Sequence, residues 1–155
     1  MKMSDGRERP VCSKCGRTVY MNPVPSVAAV LEQGGRVLLV KRGVEPGLGM
    51  WGLPGGFIEM GETIGEAVVR EVEEETGLLC RPLRIVDAHS VLGGYYGDLV
   101  VSCFEAEILS GTLRAGEDAV DAQFFDPANL PGLAFEVHLR FLEKVVGRKL
   151  SSTYA

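Results

Sequence analysis

Residues 55–78 read GGFIEMGETIGEAVVREVEEETGL. Thr63 and Glu66 have the spacing of a capping box, and Gly77 stands where a left-handed residue ends a helix, so a helix is predicted between them. At about 100° per residue, Ile64, Ala67, Val68, Glu71, Glu74 and Glu75 fall along one side of it. A stripe that begins apolar should stay apolar if it only faces a core, yet this one turns into carboxylates. Carboxylates three and four residues apart repel, and burial adds a desolvation cost. Arg70 can pair with Glu74 one turn on, but a single guanidinium does not balance the cluster. An oxygen-rich glutamate set suits Mg²⁺ or Mn²⁺, so the stripe predicts a divalent-metal site. Glu66 and Glu73 point to the other side and are read as solvated. A solvated acidic face is the ordinary reading of such a run. The continuity with an apolar stripe and the Gly-rich loop ahead of it weigh against that here.

Outward from this helix, Val27 to Leu31 and Arg36 to Lys41 flank Gly34-Gly35 and read as a hairpin. Arg42 to Gly56 is rich in Gly and Pro and reads as an irregular loop. Leu83 to Ala88, Leu99 to Leu109 and Ala122 to Phe125 are strand candidates. Phe135 to Val146 has helical spacing through Phe135, Leu139, Leu142 and Val146. A mixed sheet covered by two helices is the expected α/β assembly. Residues 1–10 read as a flexible lead and Arg148 to Ala155 as a loosely held tail. The expected division is a leader over 1–22, a domain over 23–148 and a tail over 149–155.

The 155 residues suffice for one domain with a sizeable core. Net charge is −5, but the seven Glu between Glu59 and Glu75 account for it; outside that stretch 14 acidic residues face 15 basic ones. No broad basic surface for nucleic acid is implied. No apolar run approaches the ~20 residues of a membrane helix, and the first residues lack a signal peptide's apolar centre, so a cytoplasmic protein is expected.

The spacing of Gly56, Glu62 and Arg70-Glu71-Val72-Glu73-Glu74-Glu75-Thr76-Gly77-Leu78 resembles the Nudix box at every fixed position. The resemblance implies an α/β/α sandwich that hydrolyses a nucleoside diphosphate linked to a group X. It implies metal ligation by Glu71, Glu74, Glu75 and the carbonyl of Gly56, with Glu62 bracing Arg70. A further carboxylate outside the box often serves as base or ligand in relatives, and Glu117 is the choice here ahead of Asp118 and Asp121. Around the box, VCSKCGRTVYMNPVP, GGRVLLVKR, GMWGLPGGFIEMGE and LAF look like the branch with a zinc-ribbon leader that acts on ADP-ribose or FAD. ADP-ribose is then the expected substrate, with FAD, NADH or a (d)NTP as alternatives. A non-catalytic nucleotide sensor is the reading from another class, and a homodimer is the expected assembly. Lys41 and Arg42 are candidate phosphate contacts, Trp51 and Phe135 candidate substrate contacts, and Tyr95 and Tyr96 could also stack on a base. His89 and His138 show no ligand spacing, and His138 is read as structural or exposed.

A structural zinc needs four ligands, and a ribbon supplies C-x-x-C twice. Here Cys12-Ser13-Lys14-Cys15 stands alone, with no Cys or His before it. Cys12 and Cys15 are therefore a candidate half site for Zn²⁺: a metal-free remnant, a pair shared between two subunits, or a set completed by Cys80 or Cys103. Cys80 and Cys103 are read as small core hydrophobes.

Overall fold

The computed structural model describes residues 1–116, 118–147, 149, 150 and 152. Its centre is β3 (Val24–Gln33), which follows two short strands, β1 (Lys2–Ser4) and β2 (Arg7–Arg9). Val27 to Leu31 is an unbroken apolar run because β3 is covered on both faces. Val27, Ala29 and Leu31 pack in one cluster, and Ala28 and Val30 in another, as alternation along a strand requires. The Gly34-Gly35 turn, with both residues at positive φ, leads into β4 (Arg36–Arg42).

The hairpin pairs only next to its turn, through Glu32 with Val37 and Gln33 with Arg36. Beyond that point β4 leaves β3 to pair antiparallel with β5 (Trp51–Gly52) and β8 (Ala119–Phe125). The edge of β3 that β4 vacates is taken by the loop before the helix: Ala29 N–H donates to Pro54 O and Val27 N–H to Gly56 O, each at 2.9 Å. Gly55 permits this approach, since a Cβ there would strike the Val27 carbonyl and Ala28 Cα. On its other side β3 runs parallel to β7 (Gly97–Gly111), which pairs antiparallel with β6 (Leu78–Gly94). The result is a mixed sheet, as expected.

Helix α1 (Ile64–Thr76) covers one face through Ala67, Val68 and Val72. Helix α2 (Glu136–Val146) covers the other through Leu139, Phe141 and Leu142. The Thr63/Glu66 capping box forms, and Gly77 closes α1 in the left-handed conformation. One expectation for α1 fails: Ile64 is exposed rather than packed, because burial begins only at Ala67.

Three further expectations need correction. Residues 1–10 are not an unstructured lead: β1 and β2 pair as a hairpin around Asp5-Gly6, a turn dipeptide legible in the sequence. The strand expected over Leu83 to Ala88 extends over Leu78–Gly94, and its register shifts break the alternation that would have revealed its length. The described part of the tail is held: Ser152 Oγ donates to Pro131 O at 2.8 Å and Leu150 N–H to a Glu143 carboxylate oxygen at 3.0 Å. No described helix is long and apolar enough to cross a membrane.

Candidate active site

Glu71 and Glu75 lie one turn apart inside the buried arc of α1, and both line a cavity of about 620 Å³. The loop carrying Gly55 and Gly56 meets them there. Gly55 N–H donates to a Glu75 carboxylate oxygen at 3.0 Å, and a Cβ on Gly56 would collide with the Glu71 carboxylate. The Gly56 carbonyl accepts from Val27 N–H, which leaves its second lone pair available. Burial raises Glu75 to about 8, helped by the charges of Glu71 and Asp118 and opposed by Gly55 N–H and Arg42. Glu71 is also raised, first by burial, while Arg70 pulls the other way.

Arg70 organises this end of the helix with five hydrogen bonds, as many as its guanidinium has N–H groups. Nε and Nη2 grip Glu62 bidentately at 2.9 Å each, Nη2 also reaches Phe57 O at 2.9 Å, and Nη1 reaches Glu71 at 2.7 Å and Glu74 at 3.0 Å. The guanidinium and Glu59 N–H together lower Glu62 to about 2, so it is a fixed anion. Glu74 sits about 60° around the helix from Glu71, outside the buried arc. It is exposed and turned toward Arg70 rather than into the cavity. Among the described residues, therefore, no group of three acidic, His or Cys side chains forms a ready-made metal cage.

Arg42 and Phe135 also line the cavity. The guanidinium lies 5.0 Å from the ring centroid and is steered by a 2.6 Å bond from Nε to Pro46 O. Lys41, between Val40 and Arg42, is absent from the wall, as strand alternation dictates. Trp51 is also outside it: its ring packs edge-on against Phe125 at 4.7 Å, which is the packing role. Of the loop carboxylates, Asp118 lines the cavity. Asp121 is engaged by Gln123 Nε2 and Ala122 N–H, and Glu117 lies outside the described residues. Tyr95 and Tyr96, at the tip of the β6–β7 hairpin, close one side; Tyr96 packs edge-on against Phe57 and its hydroxyl donates to Glu45 O. His138, expected to be structural or exposed, is buried and part of the wall.

The NUDIX domain family matches residues 22–145. This chain is a Nudix hydrolase. It is 42% identical over 125 residues to an ADP-ribose pyrophosphatase of Methanocaldococcus jannaschii, covering 76% of this chain and 70% of that protein. It is 34% identical over 129 residues to an NAD-capped RNA hydrolase NudC of Chromobacterium violaceum, covering 83% of this chain but 47% of that one, so it spans about half that relative's length. The NUDIX domain of Shewanella oneidensis NrtR, solved in complex with ADP ribose, superposes with a TM-score of 0.71 at 27% identity, covering 83% of this chain and 89% of that one.

Nudix hydrolases work with divalent metals, and the donor set here fits one. It is made of oxygen, and Glu71 and Glu75 are held together in partly buried surroundings that raise both, so their negative charge is not fully neutralised by protein. The zinc half site gains no such support. Cys12 and Cys15 form a turn in which Gly16 N–H donates to Cys12 O, but no third or fourth ligand gathers with them among the described residues. Cys80 and Cys103 are buried on opposite faces of the sheet, and burial raises both thiols.

Proposed function

We propose that this Nudix enzyme cleaves ADP-ribose to AMP and ribose 5-phosphate with Mg²⁺ or Mn²⁺. The observation that carries this reading is the pairing of Glu71 and Glu75 with the Gly55–Gly56 loop in a cavity that Phe135 also lines. Similarity to an ADP-ribose pyrophosphatase across most of both chains supports the choice of substrate.

Glu71, Glu75 and the Gly56 carbonyl would hold the ion, and Glu74 would join them by turning from Arg70. When bound, the ion neutralises phosphate charge and lowers the pKa of an attacking water. The remaining work belongs to the protein. Arg70 fixes the rotamers of Glu62 and Glu71, so these carboxylates keep their places when charged. Arg42 presents its outer guanidinium nitrogens to the phosphates. Asp118, which lines the same cavity and whose charge raises Glu75, would take a proton from the attacking water. The rings of Phe135, Tyr95 and Tyr96 give a flat group apolar contact.

A second reading changes X alone. Similarity to NAD-capped RNA hydrolases favours a nicotinamide dinucleotide. The deciding experiment is hydrolysis of ADP-ribose, NADH, FAD, diadenosine polyphosphates and dNTPs, with products separated by chromatography and Glu74→Gln run alongside. ADP-ribose should have the highest kcat/KM, and Glu74→Gln should lose orders of magnitude in kcat while keeping its fold. Preference for a dinucleotide would replace the substrate, and full activity in the mutant would remove Glu74 from the metal site. The homodimer is tested by sedimentation velocity, where a single monomeric species would overturn it.

A further inference from the structure

His138 lies in the first turn of α2 and is 9% exposed. It has a built seat. Leu53 N–H donates to its Nδ1 at 3.0 Å, and the Phe135 ring packs edge-on with centroids 5.1 Å apart. Gly52 leaves it room: a Cβ there would come within 3.0 Å of Nδ1 and 3.3 Å of Cε1. Because Nδ1 accepts a hydrogen bond, the neutral ring carries its proton on Nε2. Burial, with the charge of Arg42, lowers the imidazole to about 3 and keeps it neutral.

Nε2 is left to be explained. It has no hydrogen-bond partner among the described residues, yet it is not sealed inside the protein: the buried side-chain nitrogen or oxygen found without a partner among them is Arg9 Nε. The ring's remaining exposure therefore includes Nε2, and the ring lines the cavity beside Phe135. A merely structural histidine would have both nitrogens spoken for or one facing bulk solvent.

We propose that His138 is a specificity-determining residue whose Nε2–H donates to an uncharged acceptor on the organic group lying against Phe135. Arg42 relates the two groups, touching the Phe135 ring and acting electrostatically on Glu75. With the diphosphate at the carboxylates, a flanking group of the substrate meets His138 in the same cavity. With Arg42 on the phosphates, the acceptor left for Nε2–H is an uncharged one: a ring nitrogen or carbonyl of a base, or an oxygen of ribose. The inference rests on the pyrophosphohydrolase reading with ADP-ribose as its substrate.

The test is a ¹⁵N-histidine NMR titration of the whole wild-type protein in EDTA, which prevents turnover, with AMP, ribose 5-phosphate and intact ADP-ribose. The His138 Nε2–H signal should shift with one of the halves; a shift with AMP alone would put the acceptor on the adenosine half, and with ribose 5-phosphate alone on the terminal ribose. A signal unmoved by millimolar amounts of all three overturns the proposal. In steady state, His138→Leu should raise KM about tenfold with a smaller change in kcat, the size expected for one lost hydrogen bond, and His138→Gln should recover part of it. Equal loss in both variants with KM unchanged would mean a structural role. Absence of turnover on every nucleoside diphosphate would sink the proposed activity, while the titration would still decide His138.

Discussion

Two adjacent glycines do different work. Gly55 lets the loop lie against β3, and Gly56 lets it lie against Glu71. A methyl group at Gly56 would meet the Glu71 carboxylate itself, which is also held by Arg70 and cannot swing away freely. Gly56→Ala should therefore cost at least about tenfold in kcat/KM, the loss expected when a positioned group is displaced by about an ångström. Its thermal unfolding should change by only a few degrees. Kinetics indistinguishable from wild type would mean that Glu71 needs no such close placement. Arg70 makes a sharper case. Lysine has the charge but not the planar fork, so Arg70→Lys cannot hold Glu62 bidentately and reach Glu71 as well. Divalent-metal affinity, read by calorimetry, should fall about tenfold or more, within the range seen when outer-shell partners are lost. An unchanged affinity would show that charge alone suffices.

At the scale of elements, α1 shows how much of the site was legible. Its start, its end and its carboxylates follow from spacing because capping chemistry and the 3.6-residue period are local rules. Thr63→Ala removes the hydroxyl that accepts from Glu66 N–H, so it should cost about 1 kcal/mol in chemical denaturation with no change in m-value. A neutral result would assign the cap's work to the Glu66 side chain. What spacing did not resolve was which carboxylates face the cavity. Glu71 and Glu75 do, while Glu74, nominally on the same stripe, turns out toward Arg70. The stripe's width leaves that choice to packing, which a one-dimensional pattern does not encode. Lys41 against Arg42 is the same problem on a strand: alternation says that one of them enters, and only the tertiary placement of β4 says which. Which of the two, structural or exposed, holds for His138 was not legible because its partners, Leu53 and Gly52, are some 85 residues away in sequence. The length of β6 beyond the strand expected over Leu83 to Ala88 escaped because its register shifts hide its period.

Over the whole molecule, the site sets the protein against its own stability. Glu75 sits at about 8 in the metal-free fold against 4.5 as a free side chain, and Glu71 is raised too. An acid whose folded pKa is raised keeps a proton that the unfolded chain has already released. Between its two values folding therefore takes up a proton, and stability falls as pH rises. Two other groups must be kept out of the window. His138 is lowered to about 3 from 6.5, so it makes stability rise with pH, but only below 6.5. Glu62, lowered to about 2, acts only below its free value of 4.5. Between pH 6.5 and 8 metal-free protein in EDTA should lose thermal stability as pH rises; Cys12, lowered from 9.0 by hydrogen bonds from the Cys15 and Lys14 backbone, works in the opposite direction, so the comparison with Glu75→Gln isolates Glu75. Glu75→Gln should flatten that slope, because an amide does not titrate. Divalent metal binds the charged carboxylates, so the melting temperature gained from Mg²⁺ should grow with pH over the same interval, and proton release on binding should be measurable by calorimetry in buffers of different ionisation enthalpy. A metal-free melting temperature that stays level or rises from pH 6.5 to 8, with wild type and Glu75→Gln running parallel, would show that Glu75 is already ionised in the folded protein and that the fold itself, rather than the ion, balances its charge.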